Sequence, residues 1–244
     1  MYGFGGGAVA TFPLTTRLPT VYYPESPTPL LGWGNRGRTA VPGAWMVPVG
    51  RQSLRDVAEA IFRESARLKL AFQEGHLDLV VRAAAAIAGA LRAGGKILLF
   101  GNGGSAADAQ HIAAELVNRF LLERPALAAI ALTTDSSIVT SISNDRDYAE
   151  VFARQVEALG RPGDVAIGIS TSGQSASVVR GIETASSRQM CTMAFTGGDG
   201  GKLAGLVDYA FVVPSRSTPR IQEVHGTLGH VLCQLVETEL FGKP

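Results

Sequence analysis

The stretch KILLFGNGGS, residues 96–105, decides the fold of this chain. Its apolar first half predicts a buried strand, and the glycine-rich turn after Phe100 predicts that a helix begins directly behind it. A strand, a tight turn and a helix leave free backbone N–H groups and the positive end of the helix dipole at one point. The stretch therefore predicts an anion site and favours a phosphorylated substrate.

The helix predicted after this turn carries His111 and Glu115, four residues apart. Side chains at this spacing lie on the same face of a helix. An imidazole and a carboxylate side by side can bind a metal ion or transfer protons. The pair therefore places candidate chemistry beside the anion site.

Composition limits the classes of protein that fit. The chain has 244 residues, of which 46% are hydrophobic and 18% charged, and its net charge is +1. This length suffices for one sizeable domain with an appendage, and the charge balance gives no reason to expect direct binding of nucleic acid. No apolar run reaches the roughly 18 residues that span a bilayer. Cys191 and Cys233 lie in apolar runs and are predicted to be buried structural thiols. We expect a cytoplasmic protein without membrane contact.

The first 50 residues differ in composition from the rest. They contain seven of the twelve prolines and both tryptophans, Trp33 and Trp45, and they show no sustained periodicity. We expect residues 1–50 to be a disordered or loosely docked extension, with Met46 as a possible true start. Docking of its aromatic side chains on a partner or a neighbouring subunit is the alternative.

From Ser53 onward the pattern becomes regular, and residues 53–242 are predicted to be the folded domain. Predicted helices cover 53–72, 77–92, 105–120, 136–143, 147–159, 175–188, 200–206 and 217–240, and predicted strands cover 96–101, 126–132, 164–170, 190–196 and 208–213. Continuous apolar strands indicate burial on both faces of a sheet. The alternation predicts an α/β fold: a three-layer α-β-α sandwich with a five-stranded parallel sheet and N-terminal helices. Ligands of such sheets bind beyond the carboxyl ends of the strands.

A second candidate loop, STSGQS at residues 170–175, follows the third predicted strand and precedes a helix. Its four hydroxyls, from Ser170, Thr171, Ser172 and Ser175, can donate to phosphate oxygens. Serine and threonine are also common as turn and cap residues, so this loop alone leaves both interpretations open. Together with the glycine turn at the same sheet edge, it favours phosphate binding. Neither loop has the GxxxxGK[ST] or GxGxxG spacing of nucleotide sites.

The last predicted helix carries Gln222, His225 and His230. At about 100° per residue, His230 lies about 80° from Gln222 and about 140° from His225. Gln222 and His230 can therefore share a site, whereas His225 should point elsewhere. By periodicity alone, a single helix histidine is more often structural than functional. Glu237 and Glu239, later in the helix, are predicted to be solvated.

The blocks GNGGSAADAQHIAAEL, TSISND, GISTSGQSASVV, FTGGDGGKLAG and RIQEVHGTLGH occur in this order along the chain. With them, residues 53–242 resemble the phosphoheptose isomerases of the sugar-isomerase (SIS) superfamily. The resemblance implies a flavodoxin-like SIS fold, a homotetramer, and interconversion of sedoheptulose 7-phosphate with D-glycero-D-manno-heptose 7-phosphate. The product would supply heptose synthesis.

The resemblance also implies roles for individual residues. Glu115 would be the base that removes the proton beside the carbonyl, and His230 the complementary acid or base. A zinc ion (Zn²⁺) would be held by His111, Glu115, Gln222 and His230. The heptose would contact Asn102, Gly103, Gly104, Ser105, Asn144 and Asp145, with Gln222 beside it, and its phosphate would contact Ser170, Thr171, Ser172 and Ser175. The family has asparagine where this chain has Gln174, a mild departure.

A non-catalytic relative of the same fold binds the replication initiator DnaA as a tetramer, and this chain is similar to it at Asn118-Arg119-Phe120 and Glu123-Arg124-Pro125. That relative lacks the equivalents of Glu115 and His230, which this chain retains. A buried carboxylate–imidazole pair is costly unless it is paired or liganded. The sequence therefore favours an isomerase over a DnaA-binding protein. A phosphosugar-sensing module, which would need only the hydroxyl loop, is the third possibility.

Overall fold

Five parallel strands form the central sheet of the computed structural model, which describes residues 53–242. The strands are β1 (Ile97–Gly101), β2 (Ala129–Ala131), β3 (Val165–Ile169), β4 (Cys191–Gly197) and β5 (Tyr209–Val213), in the spatial order β2-β1-β3-β4-β5. Every residue of β1 and β3 is buried, as their continuous apolar sequences predict. The predicted five-stranded parallel sheet is thus confirmed.

Helices cover both faces of this sheet. They are α1 (Leu54–Arg92), α2 (Gly104–Val117), α3 (Ser136–Asp145), α4 (Val151–Leu159), α5 (Ala176–Ser187) and α6 (Thr218–Phe241), with short 3₁₀ turns at Tyr148–Glu150 and Leu203–Gly205. Side chains of β1 alternate between two cores: Ile97 and Leu99 pack with α1, α2 and α6, whereas Leu98 and Phe100 pack with α4 and α5. The molecule therefore has the predicted three layers.

The prediction of two separate N-terminal helices is wrong, because α1 is continuous over 39 residues. Gly75 lies at the predicted break, and a glycine inside a helix costs only about 1 kcal/mol relative to alanine. Buried Phe72 and Val80 on either side pack into the core. In addition, the His76 ring bonds the carbonyl of Phe72 through Nδ1 (3.0 Å) and accepts the N–H of Val212 at Nε2 (3.4 Å). The core packing of Phe72 and Val80 and the two bonds of His76 therefore hold the helix together across Gly75.

Two other predicted helices are shorter in the structure. The predicted helix 105–120 ends at Val117, and only the turn Leu203–Gly205 forms within the predicted helix 200–206. Gly200 and Gly201 have φ of +85° and +56°, which no α-helix contains. The glycine-rich sequence that resembles a helix start is therefore a tight loop.

The remaining predictions concern burial and the N-terminal extension. Cys233 is buried, and burial raises its pKa to about 12; Cys191 is only partly buried, and burial raises its pKa to about 11. Within residues 53–242, no helix is long and apolar enough to cross a membrane. The interpretation of residues 1–50 lies outside the described part of the chain.

Candidate active site

The two candidate loops lie side by side at the carboxyl ends of β1 and β3, which are neighbours in the sheet. Asn102, directly after β1, joins them. Its Nδ2 donates to Ser175 Oγ (2.8 Å) and Ser177 Oγ (3.0 Å), and its Oδ1 accepts the Tyr148 hydroxyl (2.7 Å). The sheet edge thus brings together the glycine turn and the hydroxyl loop, where parallel sheets bind their ligands.

The glycine turn requires its glycines for two different reasons. Gly103 has a φ of +54°, a conformation that L side chains rarely adopt. Gly104 begins α2, and an added Cβ there would overlap the amide of Gln222, which would have to move. Ser105 is buried in the first turn, with its N–H donating to the carbonyl of Asn102 (3.0 Å). Gln222 of α6 therefore lies against the start of α2.

The hydroxyl loop, residues 170–175, is held by backbone contacts. Gly173 has a φ of +63°, and an added Cβ would overlap the carbonyl oxygen of Gly200. The N–H of Leu203 donates to Gly173 O (3.2 Å), and the N–H of the buried Ser170 donates to Phe195 O (2.9 Å). The loop is thus fixed by glycine-to-glycine packing against residues 198–201. Beside it, Thr171 and Ser172 line a polar cleft of about 240 Å³.

Three donor groups converge between α2 and α6, two to three turns along each helix from this edge. Glu115 Oε1 lies 3.1 Å from His111 Nε2, and that nitrogen lies 3.2 Å from His230 Nε2. One ligand atom from each of the three residues lies within 4.8 Å of the others. The expected burial of this carboxylate–imidazole set is wrong for the single chain: both histidines are exposed and Glu115 is half-buried.

The donor set fits a metal ion. His111 Nε2 faces both a carboxylate oxygen and the Nε2 of His230, and a single N–H can point well at only one of them. Converging lone pairs of nitrogen and oxygen are what a divalent cation satisfies, and zinc accepts such ligands. His111, Glu115 and His230 therefore form a possible metal-binding triad. Among the described residues, no hydrogen bond joins Gln222 to this triad.

A close approach of two helices places the triad. Gly229 of α6 packs on Ile112 of α2, and an added Cβ would lie 2.8 Å from the Ile112 side chain. Gly229 and Ile112 are the direct neighbours of His230 and His111 in the sequence. The small residue at this crossing allows the two imidazoles to meet, with ring centroids 4.8 Å apart.

Asn144 and Asp145 lie at the end of α3, where they bond to each other: Asn144 Nδ2 donates to Asp145 Oδ1 (2.8 Å). Within residues 53–242, neither side chain bonds to another predicted site residue. The link from this region to the site runs instead through Tyr148, three residues later, whose hydroxyl reaches Asn102.

Two polar residues of the site were not predicted. Tyr148 gave no signal in the sequence. Asp108 lies three and seven residues before His111 and Glu115, a spacing that places it on their face of α2 and could have identified it. Its Oδ2 is buried and has no hydrogen-bond partner among residues 53–242. Burial raises the pKa of Asp108, and the nearby His111 opposes this shift.

The other polar residues of α6 give one correct and one wrong prediction. His225 points away from the site, as predicted: its ring is fully buried, and Nε2 donates to Thr196 O (3.0 Å). Burial lowers the pKa of His225 to about 4, with the Thr196 bond opposing. The prediction that Glu237 is solvated is wrong, because its side chain is 2% exposed and pairs with Arg124. Glu239 is exposed.

Comparisons with known proteins agree on one family. A family model of the SIS domain matches residues 61–197. The phosphoheptose isomerase of Thermodesulfovibrio yellowstonii is 56% identical over 191 residues, which cover 78% of this chain and 95% of that protein. The phosphoheptose isomerase of Aquifex aeolicus is 62% identical over 177 residues, which cover 72% of this chain and 93% of that protein.

Solved structures give the same result. The structure of the phosphoheptose isomerase GmhA from Neisseria gonorrhoeae is 45% identical, with a TM-score of 0.72, and the match covers 76% of this chain and all of that one. A phosphoheptose isomerase from Francisella tularensis is 36% identical, with a TM-score of 0.74, over 77% of this chain and all of that one. Sequence and fold therefore point to the same relatives.

Proposed function

The chain belongs to the SIS-domain family and, within it, to the phosphoheptose isomerases, and we propose that it interconverts sedoheptulose 7-phosphate and D-glycero-D-manno-heptose 7-phosphate through an enediol. One observation carries the proposal. Glu115 and His230, 115 residues apart in the sequence, lie together on α2 and α6, and α2 begins at the turn whose Asn102 bonds the hydroxyl loop. A base and its partner thus lie on two packed helices, one of which begins at the anion site.

The hydroxyl loop would hold the phosphate. Ser170, Thr171, Ser172 and Ser175 supply hydroxyl donors at the start of α5, whose first N–H groups add backbone donors. Because Gly173 fixes this loop against Gly200, the donors are preorganised and little ordering would be needed on binding. The sugar would extend towards Asn102, Gly103, Gly104 and Ser105, with Asn144, Asp145 and Gln222 at its sides.

The exchange of a ketose for an aldose requires one proton to move between neighbouring carbons. In the proposed mechanism, the carboxylate of Glu115 removes a proton from C1 of the ketose, and the electron pair moves to give the enediol. The protonated carboxyl of Glu115 then delivers a proton to C2. His230, on the facing helix, would give a proton to O2 as the enediol forms and accept the proton of O1 as the aldehyde forms.

We further propose that the triad, with Gln222, binds zinc. Nitrogen and oxygen donors suit this ion, and when bound it would polarise the oxygens of the substrate. Titration calorimetry on the purified chain tests this, with His111→Ala as the variant and the exposed Glu239→Gln, outside the triad, as the control. Equal zinc affinity in the His111→Ala variant and the unchanged chain would contradict the assignment.

A homotetramer is also proposed. The triad is open to solvent in the single chain, and the first three turns of α1 expose large apolar side chains, among them Leu54 (88%) and Phe62 (76%). Monomers rarely expose such side chains together, so their covering by further copies is expected. Light scattering of the purified chain would report a mass four times that of the monomer.

The DnaA-binding role is the alternative. The retention of Glu115 and His230 favours the enzyme, since protein binding alone would need neither. The deciding experiment follows sedoheptulose 7-phosphate in D₂O by NMR, with Glu115→Gln as the variant and the exposed Glu239→Gln as the matched control. Conversion with deuterium at C2, abolished only in the Glu115→Gln variant, would support the proposed route. No conversion by the zinc-supplied chain would contradict it and make a pull-down with DnaA the next test.

A further inference from the structure

A buried ion pair lies directly behind the proposed site. Arg124 Nε donates to Glu237 Oε1 (2.9 Å), and the two side chains are 1% and 2% exposed. Arg124 belongs to the loop that follows α2, and Glu237 belongs to α6, seven residues after His230. This spacing puts Glu237 on the same face of α6 as His230.

Arg124 caps the end of α2. Its Nη2 donates to the backbone carbonyl of Glu115 (2.9 Å), and its Nη1 donates to that of Leu116 (2.7 Å). The last carbonyls of a helix have no partner within the helix, and a cation is favourable at this negative end of the dipole. The guanidinium therefore fixes the backbone unit from which the Glu115 carboxylate projects.

Glu237 fixes the loop that follows α2. Its carboxylate accepts the backbone N–H groups of Phe120 (2.8 Å), Leu121 (2.8 Å) and Leu122 (3.0 Å). The ring centroid of Phe120 lies 5.4 Å from that of His230, with 32° between the planes. Glu237 thereby holds the aromatic side chain that packs beside the His230 imidazole.

The carboxyl of Glu237 is ionised in this environment. Burial raises its pKa, but the three backbone N–H groups and Arg124 together outweigh burial, so that the pKa lies below its ordinary value. Arg124 and Glu237 neutralise each other's charge. In addition, Arg124 bonds the backbone carbonyl of Glu115, and Glu237 bonds the backbone of Phe120, whose ring lies beside His230.

We propose that Arg124 and Glu237 are positioning residues of the isomerase, which hold the end of α2 and Phe120 so that Glu115 and His230 face each other. Neither side chain reaches the substrate space, because both are buried behind the site. The proposal rests on the catalytic roles of Glu115 and His230 given above. The contacts of the pair reach the Glu115 carbonyl and Phe120, the aromatic neighbour of His230, so the pair can set the geometry of the site as well as stabilise the fold.

The first test is Glu237→Gln, with the exposed Glu239→Gln on the same helix as the matched control. An amide at position 237 turns a donor towards the backbone N–H groups and loosens the loop. We expect kcat to fall by about 10-fold to 10²-fold, the scale of a small misplacement of catalytic groups. KM should change less than about threefold, because the phosphate donors lie on the separate loop 170–175.

A second readout does not depend on turnover. The chain has four histidines, at positions 76, 111, 225 and 230, so their ring signals can be assigned by NMR. In the Glu237→Gln variant the signals of His111 and His230 should move, whereas those of His76 and His225 should stay. Movement of all four, or a rise in KM as large as the fall in kcat, would show a purely structural role and overturn the proposal.

Arg124→Lys keeps the test decisive if Glu237→Gln does not fold. Lysine retains the charge, but its donors all lie on one nitrogen and do not reproduce the planar fork by which Nε, Nη1 and Nη2 of Arg124 reach Glu237 and two separate carbonyls. Unchanged kcat and histidine signals in a folded Arg124→Lys variant would overturn the positioning role. The proposed function is tested independently of this positioning role. It is contradicted if the unchanged chain does not isomerise the substrate, and the histidine signals would still show whether Arg124 and Glu237 position the two helices.

Discussion

The hydroxyl loop 170–175 and the triad of His111, Glu115 and His230 are built in opposite ways. The loop is a local structure, fixed by the φ of Gly173 and by its backbone contact with Gly200. The triad is made of side chains from two helices, and its histidines are 119 positions apart in the sequence. The shape of the loop is set by these backbone contacts, whereas the triad depends on how α2 and α6 pack.

This difference separates binding from chemistry. A change in the loop should disturb phosphate affinity and fold stability, because backbone would have to move. A change at the helix pair should disturb kcat first, because small shifts between two catalytic groups are costly while the phosphate donors stay in place. The following four predictions are ordered by the expected loss of turnover.

The largest loss is expected from the triad itself. Glu115→Gln and His230→Ala should each lower kcat by at least about 10², the low end for loss of a general acid or base. KM should change little, and steady-state kinetics measures both values. Turnover near that of the parent in either variant would show that the chemistry lies elsewhere.

The next largest effect is expected at the loop. In Gly173→Ala, the left-handed conformation and the overlap with Gly200 should together lower the free energy of unfolding by about 2–4 kcal/mol. KM should rise about 10-fold or more, and kcat should fall less than in the triad variants. Gly205→Ala, at a glycine with open space around it, is the control. A normal KM for Gly173→Ala would separate this loop from phosphate binding.

A smaller effect is expected at the helix crossing. Gly229→Ala should push α6 away from Ile112, lower the free energy of unfolding by about 1–3 kcal/mol and reduce kcat severalfold. Gly89→Ala on α1, where an added Cβ meets nothing, should instead stabilise the fold by up to about 1 kcal/mol. Chemical denaturation and kinetics on the pair test this. If the two variants behave alike, the crossing does not set the geometry of the triad.

The last prediction concerns the stability of the fold and not turnover. It rests on His225, which is buried on α6. The folded-state pKa of His225, about 4, lies below its ordinary value of 6.5, so the unfolded chain binds the extra proton first as the pH falls. This contribution to stability is complete above pH 6.5 and is lost on acidification, by about 2 kcal/mol between pH 7 and pH 5. Denaturation curves at both pH values measure it.

The variant for this prediction is His225→Asn. It should flatten the pH dependence of the free energy of unfolding, because it removes the buried imidazole. An unchanged slope in His225→Asn would assign the acid sensitivity to another group.

Local signals predicted the parts of the site that depend on neighbouring residues. The apolar run before Gly101 predicted β1, and the serines and glycine at 170–175 predicted a polar loop at the end of β3. Helical periodicity separated His225 from the face of Gln222 and His230. These features follow from backbone conformation and side-chain spacing over a few residues, which the sequence alone determines.

Tertiary structure decided the rest. It joined α1 across Gly75, buried Glu237 against Arg124, and brought the Tyr148 hydroxyl to Asn102. Each of these outcomes depends on atoms far apart in the chain, whose distance is set by the packing of helices on the sheet. The residues next to a position in the sequence do not determine that distance. Glu237 and Glu239 are similar in local sequence, but the loop after α2 buries Glu237 in an ion pair, whereas Glu239 stays in solvent.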